Sequence, residues 1–253
     1  MKYPCLVLDH DDTVVQSEAT INYPFFCDFL ASIRPGSTIS LKEYVQGCSD
    51  LGFVELCRSR FQFTDQELET EYCSWKEYIR NHIPAPYSGI DHVIQMQKNA
   101  GGLICVVSMS SSENIERDYQ THFGIKPDEI YGWDLAEEHR KPSPYALNKI
   151  MEKYHLRPDQ ILVIDDMKPA WEMARSAGVA IGFAGWGRLE YPDIMTEMTA
   201  LCDHTFCSTE ELYDFLFKQL DTCDIIPFEN KQGGEHSGKA KHKGHGPKPG
   251  SLP

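Results

Sequence analysis

Three short apolar runs stand out along the chain: residues 5–8 (CLVL), 103–107 (LICVV) and 161–164 (ILVI). None is interrupted by a polar side chain, which predicts strands buried on both faces, as in a parallel sheet. Weaker strand candidates lie near Ile130 and over residues 179–183. Helix-like stretches fall between these runs, at residues 89–99, 112–123, 144–154 and 170–177. Strand and helix therefore alternate, and the expected fold is α/β with a doubly wound, Rossmann-like parallel sheet.

Roughly 90 residues separate the first two strong strands, far more than one crossover helix needs. Within that interval Tyr23, Phe26, Cys27 and Leu30, then Leu68, Tyr72, Trp75, Tyr78 and Ile79, recur at three- and four-residue spacing. Residues 16–85 are thus expected to form a small α-helical cap domain inserted into a core made of residues 1–15 and 86–228. From Glu229 onward the composition changes to glycine, histidine, lysine and proline, with almost no apolar side chain. Such a segment cannot build a core, so residues 229–253 are expected to be a flexible basic tail.

Charge and cysteine usage narrow the class. The net charge of -14 disfavours general nucleic-acid binding, and any anionic substrate must be drawn in by local cations or a metal. Nine cysteines, an odd number with no C-x-x-C pair, predict reduced thiols in a cytoplasmic protein rather than a disulfide framework. No apolar stretch approaches a membrane span, and Asp9 arrives too early for a signal peptide, so neither secretion nor a membrane partner is expected. Oligomeric state is left open.

In open α/β sheets, ligands bind beyond the carboxyl ends of the strands. The first strand ends in Asp9-His10-Asp11-Asp12-Thr13, the second in Ser108, and the strand at 161–164 in Asp165-Asp166. Carboxylates crowded into one crevice repel unless a cation neutralises them, and without a His/Cys cluster a hard oxygen-ligated ion such as Mg²⁺ fits better than zinc.

With these residues in place, the chain resembles the haloacid dehalogenase-like hydrolases that carry a helical cap after strand one, the phosphoglycolate phosphatase and beta-phosphoglucomutase type. Asp9 and Asp11 match D-x-D-x-T, Ser108 the lone hydroxyl ending strand two, Lys141 in RKPSP the lysine motif, and Asp165-Asp166 the acidic fourth motif. The resemblance implies a Mg²⁺-dependent phosphohydrolase for a small phosphorylated metabolite, with Asp9 as nucleophile and Asp11 as the acid and base, its pKa raised. It implies metal ligation by Asp9, the Asp11 carbonyl and Asp166, with Asp165 in support, and phosphate binding by Ser108, the Met109 amide and Lys141.

The presence of Asp11 argues against dehalogenation, since dehalogenating relatives usually lack it, and VVQSEATINYPFF has no cap lysine of the phosphonate-hydrolase kind. Mutases carry a histidine about where this chain has Ile21. A sugar-phosphate mutase and a non-catalytic binding protein remain as alternatives. Arg58 and Arg60 are candidate cap contacts to substrate, with a solvated helix face as the plainer reading. Asp12 stands where relatives usually have glycine and reads as an outward-facing turn residue, and His10 as loop filler. Thr13 is expected to orient the loop. Ser110, Ser111 and Ser112 read as loop and N-cap, and Ser143-Pro144 as an N-cap followed by a first-turn proline.

Overall fold

The computed structural model describes residues 1–218; the tail at 229–253 and the end of the expected core at 219–228 lie outside the described residues. Six strands form one parallel sheet: β1 (Cys5–Leu8), β2 (Leu103–Val107), β3 (Glu129–Tyr131), β4 (Ile161–Asp165), β5 (Ala180–Ala184) and β6 (His204–Phe206). Their order is β3-β2-β1-β4-β5-β6, so the chain reverses direction across the sheet between β1 and β4. That reversal opens the crevice in which doubly wound folds place their ligands. Val7 pairs with Cys105 on one side and Val163 on the other, so β1 runs down the middle.

Alternate residues of each strand serve different layers. Leu6, Leu8, Ile104, Val106, Leu162 and Ile164 face α5 (Ile90–Asn99), α6 (Ser112–Phe123) and α10 (Thr209–Phe217). Cys5, Val7, Cys105, Val107, Ile161 and Val163 face α7 (Tyr145–Tyr154) and α8 (Lys168–Ala177). Burial on both faces explains the uninterrupted apolar runs. The buried thiols of Cys5 and Cys105 lie 3.9 Å apart, and the eight described cysteines are all free.

Between β1 and α5 the chain forms a π-helical turn at Glu18–Asn22, then α1 (Tyr23–Ile33), α2 (Leu41–Leu51), α3 (Phe53–Phe61) and α4 (Asp65–Ile79). Capping boxes fix two starts: Ser40 with Glu43 at α2, and Thr64 with Glu67 at α4. The apolar cluster of these helices, including Phe26, Leu30, Tyr44 and Leu56, also takes in Phe183, Tyr191, Ile194 and Met198. The inserted helices thus pack against β5 and α9 (Pro192–Leu201) rather than around a wholly private core.

The pattern missed β6, α9 and α10. β6 is three residues of mixed polarity, too short for a period to register. At α7 the start is shifted: Pro144 occupies the N-cap and Tyr145 is the first helical residue, while the Ser143 amide donates to Arg140 O. No described helix is long and apolar enough to cross a membrane.

Candidate active site

Asp9 follows β1 directly, and its amide donates to Ile164 O at 2.9 Å, which ties the strand end to β4. Asp165 ends β4 and Asp166 follows it. Carboxylate oxygens of Asp9, Asp165 and Asp166 lie within 4.8 Å of one another, and all three residues are buried. The ammonium of Lys141 reaches into this cluster from the loop before α7, donating to Asp9 Oδ1 at 2.7 Å and Asp165 Oδ2 at 2.5 Å. Residues 132 and 24 positions apart in sequence thus meet on one nitrogen.

The other cation in the cluster is Arg188, in the loop after β5. Its Nε and Nη2 donate to Asp166 Oδ2, and Nη1 donates to Asp12 Oδ2 at 2.6 Å. Thr13 Oγ1 donates to Asp166 Oδ1 at 3.3 Å. Burial pushes the Asp165 carboxyl up to about 8, opposed by Lys141 and reinforced by Asp9 and Asp166. Burial also raises Asp166, opposed by Arg188. Burial pulls the Lys141 ammonium down, but Asp165 and Asp9 outweigh it and the net shift is upward. Lys141 and Arg188 offset part of the cost of burial, and the net shift of both acids is still upward.

Asp11 is half-buried, and its loop is closed by Asp12 N donating to Val15 O and Val14 N donating to His10 O. Ser108 is buried at the end of β2, its amide donating to Tyr131 O and its Oγ accepting from Ser110 N at 3.2 Å. Gly132 makes this loop possible, because a Cβ there would sit 2.7 Å from Ser110 O and Ser112 N. Met109 is exposed. Asp11, His10, Ser17, Asn22, Trp75 and Arg117 line one cleft between the sheet end and the inserted helices. The donor set fits a hard divalent cation, being buried, oxygen-only and built from carboxylates in mutual reach.

The profile of the family described as haloacid dehalogenase-like hydrolase matches residues 6–184, a span that contains Asp9, Ser108, Lys141 and Asp166. This chain belongs to that family. A phosphoglycolate phosphatase of Vibrio vulnificus (strain YJ016) is 30% identical to this chain over 96 residues, 37% of this chain and 41% of that protein. The aligned stretch therefore spans well under half of that relative. CbbY from Rhodobacter sphaeroides, solved in complex with phosphate, superposes with a TM-score of 0.63 at 20% identity, covering 83% of this chain and 96% of that one. A conserved haloacid dehalogenase-like protein from Agrobacterium tumefaciens gives 0.68 at 17% identity, covering 86% and 99%. These likenesses establish the fold.

Several residues of this chain sit differently from what the sequence suggests. Asp12 does not face outward; it is 5% exposed and paired with Arg188. His10 is more than filler: buried beside Asp118, it shares a hydrogen bond between Nε2 and Asp118 Oδ2 at 3.0 Å. Arg117 holds the other oxygen of Asp118 and also donates to Ile79 O at the end of α4, linking sheet and inserted helices. Ser111 precedes α6 without a side-chain cap bond, while Ser112 Oγ donates to Asp134.

Arg58 and Arg60 lie on α3 in surface pairs with Asp65 and Glu43, and neither lines the cleft beside Asp11. Arg188 escaped the sequence reading because it belongs to no motif. The signal was positional, since β5 also ends at the crevice and its following loop, GWGR, ends in a cation.

Proposed function

We propose that this hydrolase is a Mg²⁺-dependent phosphomonoesterase that acts on a small phosphorylated metabolite through an aspartyl-phosphate at Asp9. The observation that carries the reading is Lys141 bridging Asp9 and Asp165 inside a buried carboxylate cluster, with Ser108 and Asp11 at neighbouring strand ends. Phosphate on CbbY, and xylulose-(1,5)bisphosphate on a mutant of it, support a phosphate-ester substrate. Asp9, Asp166 and the Asp11 carbonyl would hold the metal, with Asp165 in support. When bound, the cation supplies charge neutralisation for the nucleophile and the phosphoryl oxygens.

The protein's own groups divide the remaining work. Asp9 Oδ attacks phosphorus and the ester oxygen leaves, forming the Asp9–phosphorus bond as the phosphorus–oxygen bond breaks. Asp11 gives its proton to the leaving alcohol, then takes one from the water that cleaves the aspartyl-phosphate. Lys141, Ser108 and the Met109 amide hold phosphoryl oxygens as charge redistributes. The inserted helices act as a cap: Trp75 and Asn22 close the cleft over Asp11, limiting water and the size of the alcohol. A screen of phosphorylated metabolites with the purified protein tests this: Mg²⁺-dependent phosphate release is expected, and no release from any ester would contradict it.

A further inference from the structure

The position occupied by Asp12 is costly for the backbone. Its φ is 53°, in the left-handed region that penalises a side chain, and its carboxylate is buried. A glycine would relieve both costs, so the carboxylate must gain something in place. What it gains is Arg188, itself 5% exposed, bound through Nη1. Asp12 Oδ1 accepts from the Glu18 amide at 3.1 Å, which fixes the acid on its far side.

The loop bearing Arg188 is seated equally firmly. A Cβ on Gly187 would lie 2.8 Å from Asp12 O and 2.7 Å from the Tyr87 hydroxyl, so only glycine lets the two loops touch. Trp186 Nε1 donates to Thr13 O at 3.1 Å across the same seam. The guanidinium then donates through Nε and Nη2 to Asp166 Oδ2, while Thr13 takes Oδ1. Both oxygens of the acid assigned to the metal are therefore already engaged, one of them by a full positive charge.

We infer that Arg188, anchored by Asp12, is an internal counter-cation that competes with the divalent metal for Asp166 and so sets the metal affinity of the site. The inference rests on the metal reading given under the proposed function. Lys141 cannot do the same work, since it contacts Asp9 and Asp165 and not Asp166. In the metal-free protein the guanidinium neutralises Asp166, which keeps a buried carboxylate tolerable. When the metal binds, Asp166 exchanges part of that contact, and the nearby positive charge opposes the incoming cation. Asp12 offsets that opposition with its own negative charge, paired to the guanidinium through Nη1. Arg188 and Asp12 are thus positioning residues with opposite electrostatic signs.

The sign difference gives the test. Mg²⁺, and in parallel Mn²⁺, is titrated calorimetrically into the metal-stripped full chain without substrate, for wild type, Arg188→Met and Asp12→Asn. Removing the positive charge should tighten metal binding by about tenfold or more, and removing the negative charge should weaken it by a similar factor. Asparagine tolerates the left-handed backbone, so Asp12→Asn keeps the loop conformation. Weaker binding in Arg188→Met would mean that the guanidinium orients Asp166 for the metal, and would overturn the inference. So would tighter or unchanged binding in Asp12→Asn. If circular dichroism shows that Arg188→Met does not fold, the Asp12→Asn arm decides alone. Binding gained by Arg188→Met where wild type shows none supports the inference. No binding by any of the three proteins overturns the metal reading itself and, with it, this inference.

Discussion

Two regions of the molecule bury acidic side chains in different ways. At the sheet end, Asp9, Asp12, Asp165 and Asp166 are buried together with Lys141 and Arg188, each ammonium or guanidinium touching two carboxylates. In the inserted helices, Glu71 on α4 is buried at 6% exposure, and burial alone pushes its carboxyl up to about 7. Burial raises acids in both regions, Asp165 to about 8 and Glu71 to about 7, but at the sheet end Lys141 and Arg188 oppose the shift, whereas no cation opposes it at Glu71. Acids buried with cations beside them can be turned to chemistry; an acid buried alone is a packing position.

The largest effect should come from Asp9, the acid proposed to react. Asp9→Asn keeps the side-chain volume but removes the nucleophile, so turnover should fall about a thousandfold or more while folding is retained. Steady-state phosphate release with circular dichroism as a control checks this, and near-normal turnover would break the contrast at its strong end. Asp11→Asn should slow alkyl phosphates severely but aryl phosphates much less, since a good leaving group needs no proton. Equal losses for both would remove Asp11 from the role of acid.

Glu71 tests the other side. A raised folded pKa means that the folded state binds the extra proton between about pH 4.5 and 7, so stability falls as pH rises through that window. Glu71→Gln should leave stability at pH 5 nearly unchanged and raise it at pH 8 by about 2 kcal/mol, read from urea unfolding at the two values. An equal effect at both would show that Glu71 stays charged. The smallest effect belongs to exposed pairs. Arg58→Ala and Arg60→Ala remove surface partners of Asp65 and Glu43, and neither should move KM or the unfolding midpoint measurably. A clear rise in KM would return these arginines to substrate recognition.

How much of this was legible in the sequence follows from how far each signal reaches. β1, β2 and β4 were plain because both faces are buried, which leaves runs with no polar residue. β6 was invisible because three residues carry no period. Asp9, Ser108 and Asp166 could be read because polar residues at strand ends announce themselves locally, one element at a time, whereas Lys141, in the loop before α7, was read only through the family resemblance. The pairing of Asp12 with Arg188 joins positions 176 residues apart, and no local pattern in either segment points to the other. His10 and Asp118 are hidden for the same reason, at a separation of 108. Local chemistry showed what the site contains; only the fold shows which cation answers which acid.

The most direct test of the central claim is phosphate release from a panel of phosphorylated metabolites by wild type and Asp9→Asn, each with Mg²⁺ and after exhaustive chelation. The account predicts release by wild type with Mg²⁺ only, restored when Mg²⁺ is returned, and none by Asp9→Asn in either condition. Undiminished release after chelation, or release by Asp9→Asn at the wild-type rate, would contradict it.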